Sequence, residues 1–283
     1  MSYKSGTSFY LIDEDCETAF TQCVSCRFVS ENDRYKEVAD GCFLRVADID
    51  EVNAYCATIS DPVRAYLRRN MPEVNWNKYT NILTMTSGMC RWLTVVGHVC
   101  EYMERTHKMG EAKKMLEWAS KRLTCFEAGS DFVQRFLDEF KIKCDGRRDE
   151  IVRIYSIACA AAVLAHELGH ASLGHQHYQH TTPITIVRND EREADMFSSS
   201  VLHSIGNGYV GAIAAVAVEV SFAWMCGSNS HYVPKKDLKK PNLYASHPVT
   251  FERVRNFIES FNTVLKTSPI TDKMLLKLME KGK

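Results

Sequence analysis

The segment His166-Glu167-Leu168-Gly169-His170 has the residue types and the spacing that metal chemistry requires. Two residues four apart in an α-helix lie on one face, one turn apart, so both imidazoles can reach a single Zn²⁺ at about 2 Å. Glu167 then lies beside the metal. Its carboxylate can take a proton from a zinc-bound water, whose pKa the metal lowers to about 7, and can pass that proton to a leaving amine. The segment therefore predicts one zinc ion per chain, with Glu167 as a catalytic base.

An H-E-x-x-H motif on a helix is a signature of zinc metalloproteases, but it also arises by chance. The alternative is a pair of core histidines with an outward-pointing glutamate. The preceding residues, SIACAAAVLA, are apolar nearly all round and predict a buried helix. Two histidines and a carboxylate are costly in such surroundings unless a dication compensates them. The context therefore favours a metal site.

A third protein ligand is required, and the metzincin pattern offers one candidate position. That pattern places glycine three residues and histidine six residues after the second zinc histidine. Leu173 and Gln176 occupy these positions here. Three histidines lie nearby but out of register, and we expect them at the surface or at a helix cap: His175, His177 and His180.

The other candidate is Glu191, in the run Glu191-Arg192-Glu193-Ala194-Asp195. A helix beginning there could cross the first helix, with Glu191 reaching the zinc. Asp195, on the same face, could accept the outer ring N–H of a ligand histidine. The small Ala194 would allow a close approach, and we expect Glu193 to be solvated. The alternative, an exposed acidic helix start, is the weaker one beside H-E-x-x-H.

A further histidine, His247, lies in the run ASHPVTFERV, where Pro248 suits the first position of a helix. If His247 faces the metal, its imidazole could stabilise the oxyanion of a tetrahedral intermediate. A capping or buried structural histidine is an equally good interpretation. Arg253 is expected to be a structural ion-pair partner rather than a substrate clamp.

These residues require elements that hold them in place. We predict an active-site helix at about 149–173, ending at the cap Gly174, and a third-ligand helix at about 189–205. The run 81–86 reads as a strand passing into a helix, and an extended substrate could pair with it.

The apolar run 209–226 is almost long enough to cross a membrane. It is rich in alanine and contains Glu219 near its middle, so a buried core helix is the better interpretation. Two last helices, from about Thr250 and about Thr271, are expected to close the chain.

Composition narrows the class of protein. Lysine plus arginine equals aspartate plus glutamate, at 35 each, which gives no general attraction to nucleic acid or to an acidic membrane. The 11 cysteines are odd in number, and the first residues, MSYKSGTSFY, show no apolar signal segment. Both features favour reduced thiols and a cytoplasmic location. Cys23 and Cys26 form one isolated C-x-x-C, whereas a structural zinc normally needs two such pairs.

The chain therefore reads as a mainly α-helical α+β protein. An N-terminal portion at 1–75, of unknown role and containing short β-rich runs such as CFLRVAD, precedes a helical catalytic domain at 76–283. The sequence leaves the oligomeric state open.

HELGH, EREAD and SHPVTFERV, in this order, resemble the gluzincin zinc peptidases, and most closely the Lit phage-exclusion protease family. The resemblance covers about residues 80–260. It implies a zincin-like core, zinc at His166, His170 and Glu191, and Glu167 as the base. It further implies cleavage of a folded cytoplasmic host protein, with translation elongation factor Tu as the family's known substrate, in a role that aborts phage propagation.

Two other functions compete with this one. The first is a membrane-associated quality-control peptidase with the same zinc chemistry, in which the run 209–226 enters lipid. The second is a zinc-bearing regulatory or sensor protein with little turnover.

Overall fold

The protein is a mainly helical α+β structure with a small three-stranded sheet on its N-terminal side. The computed structural model describes residues 11–24, 33–123, 126–143, 145–175, 182–203, 208–229 and 250–261. Within these ranges the helices are α1 (Asp13–Thr18, continued by a π-helical turn, Ala19–Val24), α2 (Asp33–Asp40), α3 (Asp61–Asn70), α4 (Ser87–Thr106), α5 (Met109–Arg122), α6 (Phe132–Glu139), α7 (Gly146–Leu173), α8 (Ile184–Leu202), α9 (Tyr209–Asn229) and α10 (Thr250–Ser260). The predicted fold class is confirmed.

The sheet consists of β1 (Cys42–Ala47), β2 (Ala54–Thr58) and β3 (Asn81–Thr86). β3 lies in the middle, parallel to β1 and antiparallel to β2. The strand predicted at 81–86 is confirmed, and it passes directly into α4. The suggestion that substrate pairs with this strand is wrong, because every residue of β3 already faces a partner on β1 or β2. The sheet also joins residues on both sides of the expected domain boundary at 75/76.

The long helix α7 is the central element of the fold. It begins at Gly146 rather than near Asp149, because the side chain of Asp145 accepts a hydrogen bond from the Arg147 amide at 3.1 Å and caps the helix. It ends at Leu173, as predicted, because Gly174 adopts a left-handed φ of 74°. Helices α4, α8 and α9 pack around it, and β2 and β3 contact it as well.

Among the described residues, α7 is the one helix long and apolar enough to cross a membrane by length and composition alone. Its apolar character has another explanation, because 67% of its most apolar window is buried inside the protein. A helix surrounded by other elements is hydrophobic on most of its faces.

Helix α8 starts and ends earlier than predicted. It begins at Ile184, directly after Pro183, rather than near residue 189, and its last residue is Leu202. Proline fixes a φ suited to a helix entrance, which the motif-based prediction did not use. As a result, Glu191 lies well inside the helix and not at its start.

Helix α9 contains the apolar run that was interpreted as a core helix. Its side chains are described as far as Phe222, and most of them are buried against α7, α5 and α10. Glu219 is itself buried, and its Oε1 lies 3.1 Å from Nη2 of Arg253 on α10. The core interpretation is confirmed for this described part. The second of the two expected C-terminal helices lies outside the described residues.

The cysteines that the structure describes agree with reduced thiols. Six of them are free: Cys16, Cys42, Cys56, Cys90, Cys100 and Cys159. The side chains of the C-x-x-C pair, Cys23 and Cys26, lie outside the described part of the chain.

Candidate metal centre

The two histidines of the H-E-x-x-H motif lie on one face of α7. Their Nε2 atoms are 3.2 Å apart, and their rings meet nearly at right angles with centroids 4.8 Å apart. This arrangement follows from the helical repeat, which brings residues four apart onto one face. Both rings thus direct one nitrogen to the same point.

Glu191 supplies a carboxylate at that point from the neighbouring helix α8. Its Oε2 lies 3.4 Å from His166 Nε2, and its Oε1 lies 3.6 Å from His170 Nε2. The helices cross closely because Gly169 faces Ala194. A Cβ atom placed on Gly169 would lie only 3.2 Å from the Ala194 Cα. The two small residues therefore allow α8 to approach α7 closely enough for the Glu191 carboxylate to lie beside the two imidazoles.

The spacing of these three side chains fits a single metal ion. Ligand atoms bound at about 2.0–2.1 Å to a tetrahedral Zn²⁺ lie about 3.3 Å from one another. The separations here, 3.2, 3.4 and 3.6 Å, agree with that geometry. Two imidazoles and one carboxylate also form a donor set that Zn²⁺ uses in catalytic sites. His166, His170 and Glu191 are therefore suited to hold a divalent metal.

Asp195 supports the first histidine from behind. Its Oδ1 lies 3.0 Å from His166 Nδ1, the ring nitrogen that points away from Glu191. Burial tends to lower the pKa of His166, but the contacts with Asp195 and Glu191 outweigh burial and raise it to about 10. The surroundings of His166 thus stabilise positive charge.

A buried ion pair in turn holds Asp195. Arg253 on α10 forms two hydrogen bonds with its carboxylate, Nε to Oδ2 at 2.7 Å and Nη2 to Oδ1 at 2.5 Å. Burial raises the pKa of Asp195, but the charge of Arg253 and the contact with His166 outweigh it and lower the pKa to about 2. Arg253 is thus an ion-pair partner, as the sequence predicted, and Asp195 stays ionised beside His166.

Glu167 is half-buried and follows His166 directly. The pKa of the Cys56 thiol on β2 is raised, first by its hydrogen bond with Cys42, then by burial, and further by the negative charge of Glu167. The negative charge of Glu167 thus acts on a thiol of β2, a strand that contacts α7.

His175 and Glu193 also belong to this site, although the sequence analysis placed them elsewhere. His175 Nδ1 lies 3.0 Å from His170 Nδ1, and its Nε2 lies 3.2 Å from Glu193 Oε2. Of the two positions expected for His175, the surface or a helix cap, the structure shows the cap: its amide donates to the His170 carbonyl at 2.9 Å, and its side chain is only 6% exposed. Glu193 is exposed, as predicted, but it contacts His175 rather than solvent alone.

A signal for His175 was present in the sequence. Gly174 was recognised as the helix cap, and glycine caps commonly bring the next residue into contact with the last turn of the helix. That residue is His175, and the matching position in the last turn is His170. A cap position was expected for His175, but its contact with His170 was not inferred, because the nearby histidines were compared only with the metzincin register.

Several candidates lie outside the described residues. They are Gln176, His177, His180 and His247. The roles weighed for His247, oxyanion stabilisation or capping, stay predictions.

The fold and the site together define a class of protein, a mainly helical protein with a His-His-Glu cluster suited to a divalent metal. The chain belongs to the Peptidase U49 family, whose model matches residues 95–272, and it is accordingly a peptidase. The match supports the resemblance to a Lit-type peptidase family. No curated protein and no solved structure shows a significant match to the chain.

Proposed function

We propose that this peptidase is a zinc-dependent endopeptidase, with one zinc ion held by His166, His170 and Glu191. One observation carries the proposal: three ligand atoms from two helices converge at separations of 3.2 to 3.6 Å, in a chain that matches a peptidase family. A catalytic zinc typically has three protein ligands and leaves its fourth position open.

The chemistry we assign is peptide hydrolysis by an activated water. When bound, the metal supplies a Lewis acid that polarises the scissile carbonyl and acidifies a coordinated water. Glu167 accepts a proton from the water as its oxygen forms a bond to the carbonyl carbon. Glu167 then gives this proton to the amide nitrogen as the C–N bond breaks, which releases a carboxylic acid and an amine.

Asp195 and Arg253 act behind the ligands in this scheme. Asp195 orients His166 through Nδ1, so that Nε2 faces the metal. Arg253 keeps Asp195 ionised and in place. For His247 we propose one role, stabilisation of the oxyanion of the tetrahedral intermediate.

For the substrate we propose an extended segment along β2. Among the described strands, β2 is at an edge of the sheet, and it contacts α7. The negative charge of Glu167 contributes to the raised pKa of Cys56 on this strand. An edge strand pairs with a peptide through every second backbone amide. Peptides N-methylated at successive positions test this arrangement: we expect KM to rise at alternate positions only. Equal KM values for the whole series would reject it.

The proposed substrate class is a folded cytoplasmic protein. Its basis is the resemblance of HELGH, EREAD and SHPVTFERV to Lit-type phage-exclusion proteases, so translation elongation factor Tu is the first substrate to test. A cytoplasmic location and a role in antiviral defence are proposed on the same basis. Identification of new protein N-termini after induction of the chain would reveal the target without assuming it.

The central test compares Glu167→Gln with His166→Ala. Glu167→Gln should retain zinc by elemental analysis and lower the cleavage rate by a factor of roughly 10² to 10⁴, because the base is lost and the ligands stay. His166→Ala should lose the metal. Glu150→Gln is the matched control, an exposed carboxylate on the same helix, and should change neither property.

The same variants separate the competing functions. Retained biological activity in Glu167→Gln, with zinc bound, would reject hydrolysis and support a zinc-bearing sensor. A membrane-associated peptidase requires the protein in the membrane fraction, and recovery of the full chain in detergent extracts alone would favour it.

A further inference from the structure

The second metal ligand, His170, has a partner of its own on the side away from the metal position. Its Nε2 faces His166 and Glu191, so its Nδ1 points outward, and there it lies 3.0 Å from Nδ1 of His175. The two rings meet edge to face, with centroids 5.1 Å apart. His170 thus has a ring partner behind it, as His166 has Asp195.

The backbone fixes this contact. Gly174, at φ 74°, ends α7, and two hydrogen bonds close the end of the helix: Gly174 N to Ala171 O at 3.3 Å and His175 N to His170 O at 2.9 Å. This pair of bonds is the Schellman motif, which brings the residue after the glycine back onto the last turn. The position of His175 against His170 is therefore built into the helix end.

A metal bound to His170 would determine which ring nitrogen carries the proton in His170 and in His175. A neutral imidazole carries one N–H, so a ring that binds metal through Nε2 carries its proton on Nδ1. His170 Nδ1 must then donate to His175 Nδ1, and His175 carries its own proton on Nε2. That nitrogen lies 3.2 Å from Glu193 Oε2, a suitable acceptor. Asn189 Nδ2 donates to the other oxygen of Glu193 at 2.7 Å and holds the carboxylate.

His175, Glu193 and Asp190 could instead hold a second metal, since their donor atoms are also grouped together. The geometry argues against this when His170 is a ligand. A metal on His175 Nε2 would place the proton of that ring on Nδ1, and two N–H groups would then face each other at 3.0 Å. Asp190 is also the more distant member, with its Oδ1 at 3.9 Å from His175 Nε2.

We propose that His175, held by Glu193, is a positioning residue that fixes the ring orientation and the proton tautomer of the metal ligand His170. This inference rests on the proposed metal centre. Partners of this kind behind a ligand histidine commonly change metal affinity 10- to 100-fold when they are removed.

The test measures zinc affinity and stoichiometry of the full chain by competition with a chromophoric chelator. His175→Leu should weaken zinc binding by roughly 10- to 100-fold, because it removes the acceptor for His170 Nδ1–H. His175→Asn should stay close to the wild type, since its amide oxygen can occupy the place of the lost Nδ1. The metal-free forms of both variants should unfold at similar temperatures, which separates positioning from a general loss of stability.

A double-mutant cycle tests the role of Glu193. Glu193→Ala should weaken zinc binding in the wild-type background but add little to His175→Leu, because Glu193 acts through His175. Equal effects in both backgrounds would overturn this part of the proposal.

The remaining outcomes are also decisive. Unchanged affinity in His175→Leu, or equal weakening in the leucine and asparagine variants, would overturn the positioning role. Two zinc ions in the wild type and one in His175→Leu would make the second cluster a metal site instead. A wild-type chain that binds no zinc would reject the metal centre and this inference together.

Discussion

Arg253 on α10 and Asp195 on α8 form a two-point ion pair, with Nη2–Oδ1 at 2.5 Å and Nε–Oδ2 at 2.7 Å. The pair lies directly behind His166, since Asp195 Oδ1 is also 3.0 Å from His166 Nδ1. Arg253 contacts Glu219 on α9 as well. Helices α8, α9 and α10 are thereby joined behind His166 through a single guanidinium.

Replacement of Arg253 by methionine should destabilise the protein by about 3–5 kcal/mol. The change keeps much of the side-chain volume but leaves the buried carboxylates of Asp195 and Glu219 without this cation. Arg253→Lys is the control. It keeps the charge but loses the two-point geometry, so a smaller loss is expected. Denaturant unfolding measures both variants, and a methionine variant within about 1 kcal/mol of the wild type would contradict this account.

The sequence predicted the local geometry of His166 and His170, which the structure places on one face of α7. His166 and His170 share a face because the helical repeat is a local property, and the segment lies inside the long helix expected there. For the ion pair, the sequence predicted the role of Arg253 but not its partners. Arg253 could be assigned an ion-pair role, but its partners lie 58 residues away at Asp195 and on the intervening helix α9, at Glu219. Pairing over such distances depends on tertiary packing, which no short pattern encodes.

A methyl group on Gly169 should disturb the metal site. Its Cβ would lie 3.2 Å from the Ala194 Cα and 3.2 Å from the Phe197 Cδ1, so α8 would have to move outward by a few tenths of an ångström. The strain, about 1–3 kcal/mol, should exceed the gain of about 1 kcal/mol in helix propensity. We expect Gly169→Ala to lower stability and to weaken zinc binding, because Glu191 moves with α8.

Gly146→Ala provides the matched control on the same helix. A Cβ at that position meets nothing within 4 Å, so zinc affinity should not change. Equal zinc affinity in the Gly169 and Gly146 variants would mean that the close crossing of α7 and α8 does not set the position of Glu191.

The sheet is a second case in which a sequence pattern predicts an element but not its neighbours. The run 81–86 has the character of a strand, but its place between β1 and β2 depends on contacts with residues that lie far away along the chain. The strand was identified correctly, whereas its availability to a substrate was not. His175 is the opposite case, because the glycine cap next to it was a local signal that could have placed it.

The stability of the protein should fall in mild acid because of His98. This side chain is buried in α4 near Phe136, and among the described residues its Nε2 has no hydrogen-bond partner. Burial lowers its pKa to about 4, and the charge of Glu101 opposes this only in part. The unfolded chain, with a histidine pKa of about 6.5, takes up this proton first as the pH falls.

The contribution of neutral His98 to the free energy of unfolding is therefore fully present above about pH 6.5. It is lost as the pH falls towards 4, which lowers the free energy of unfolding by up to about 3 kcal/mol. His98→Leu should flatten the stability profile in this window. His107→Asn, a change at an exposed histidine with a left-handed backbone, is the control and should leave the profile unaltered. Unfolding in urea at pH 7, 6, 5 and 4 gives the comparison. Parallel profiles for the wild type and His98→Leu would show that His98 does not carry the effect.

Removal of the metal should lower the melting temperature of the wild type. An ion that binds only the folded state stabilises it by RT ln(1 + [L]/Kd), about 4 kcal/mol at a thousandfold excess over Kd. For a chain of this size, that corresponds to a shift on the order of 10 °C. Thermal unfolding with and without a chelator measures the shift, and added Zn²⁺ should reverse it.

The variants of the site should divide into two groups in the same experiment. His166→Ala should show almost no response to the chelator, because a ligand is missing. Glu167→Gln should respond as the wild type does, because the base contributes nothing to holding the ion. A chelator response in His166→Ala equal to that of the wild type would place the metal elsewhere in the chain. Loss of the response in Glu167→Gln would instead make this carboxylate a ligand, and a ligand carboxylate is not available to accept the proton of the attacking water.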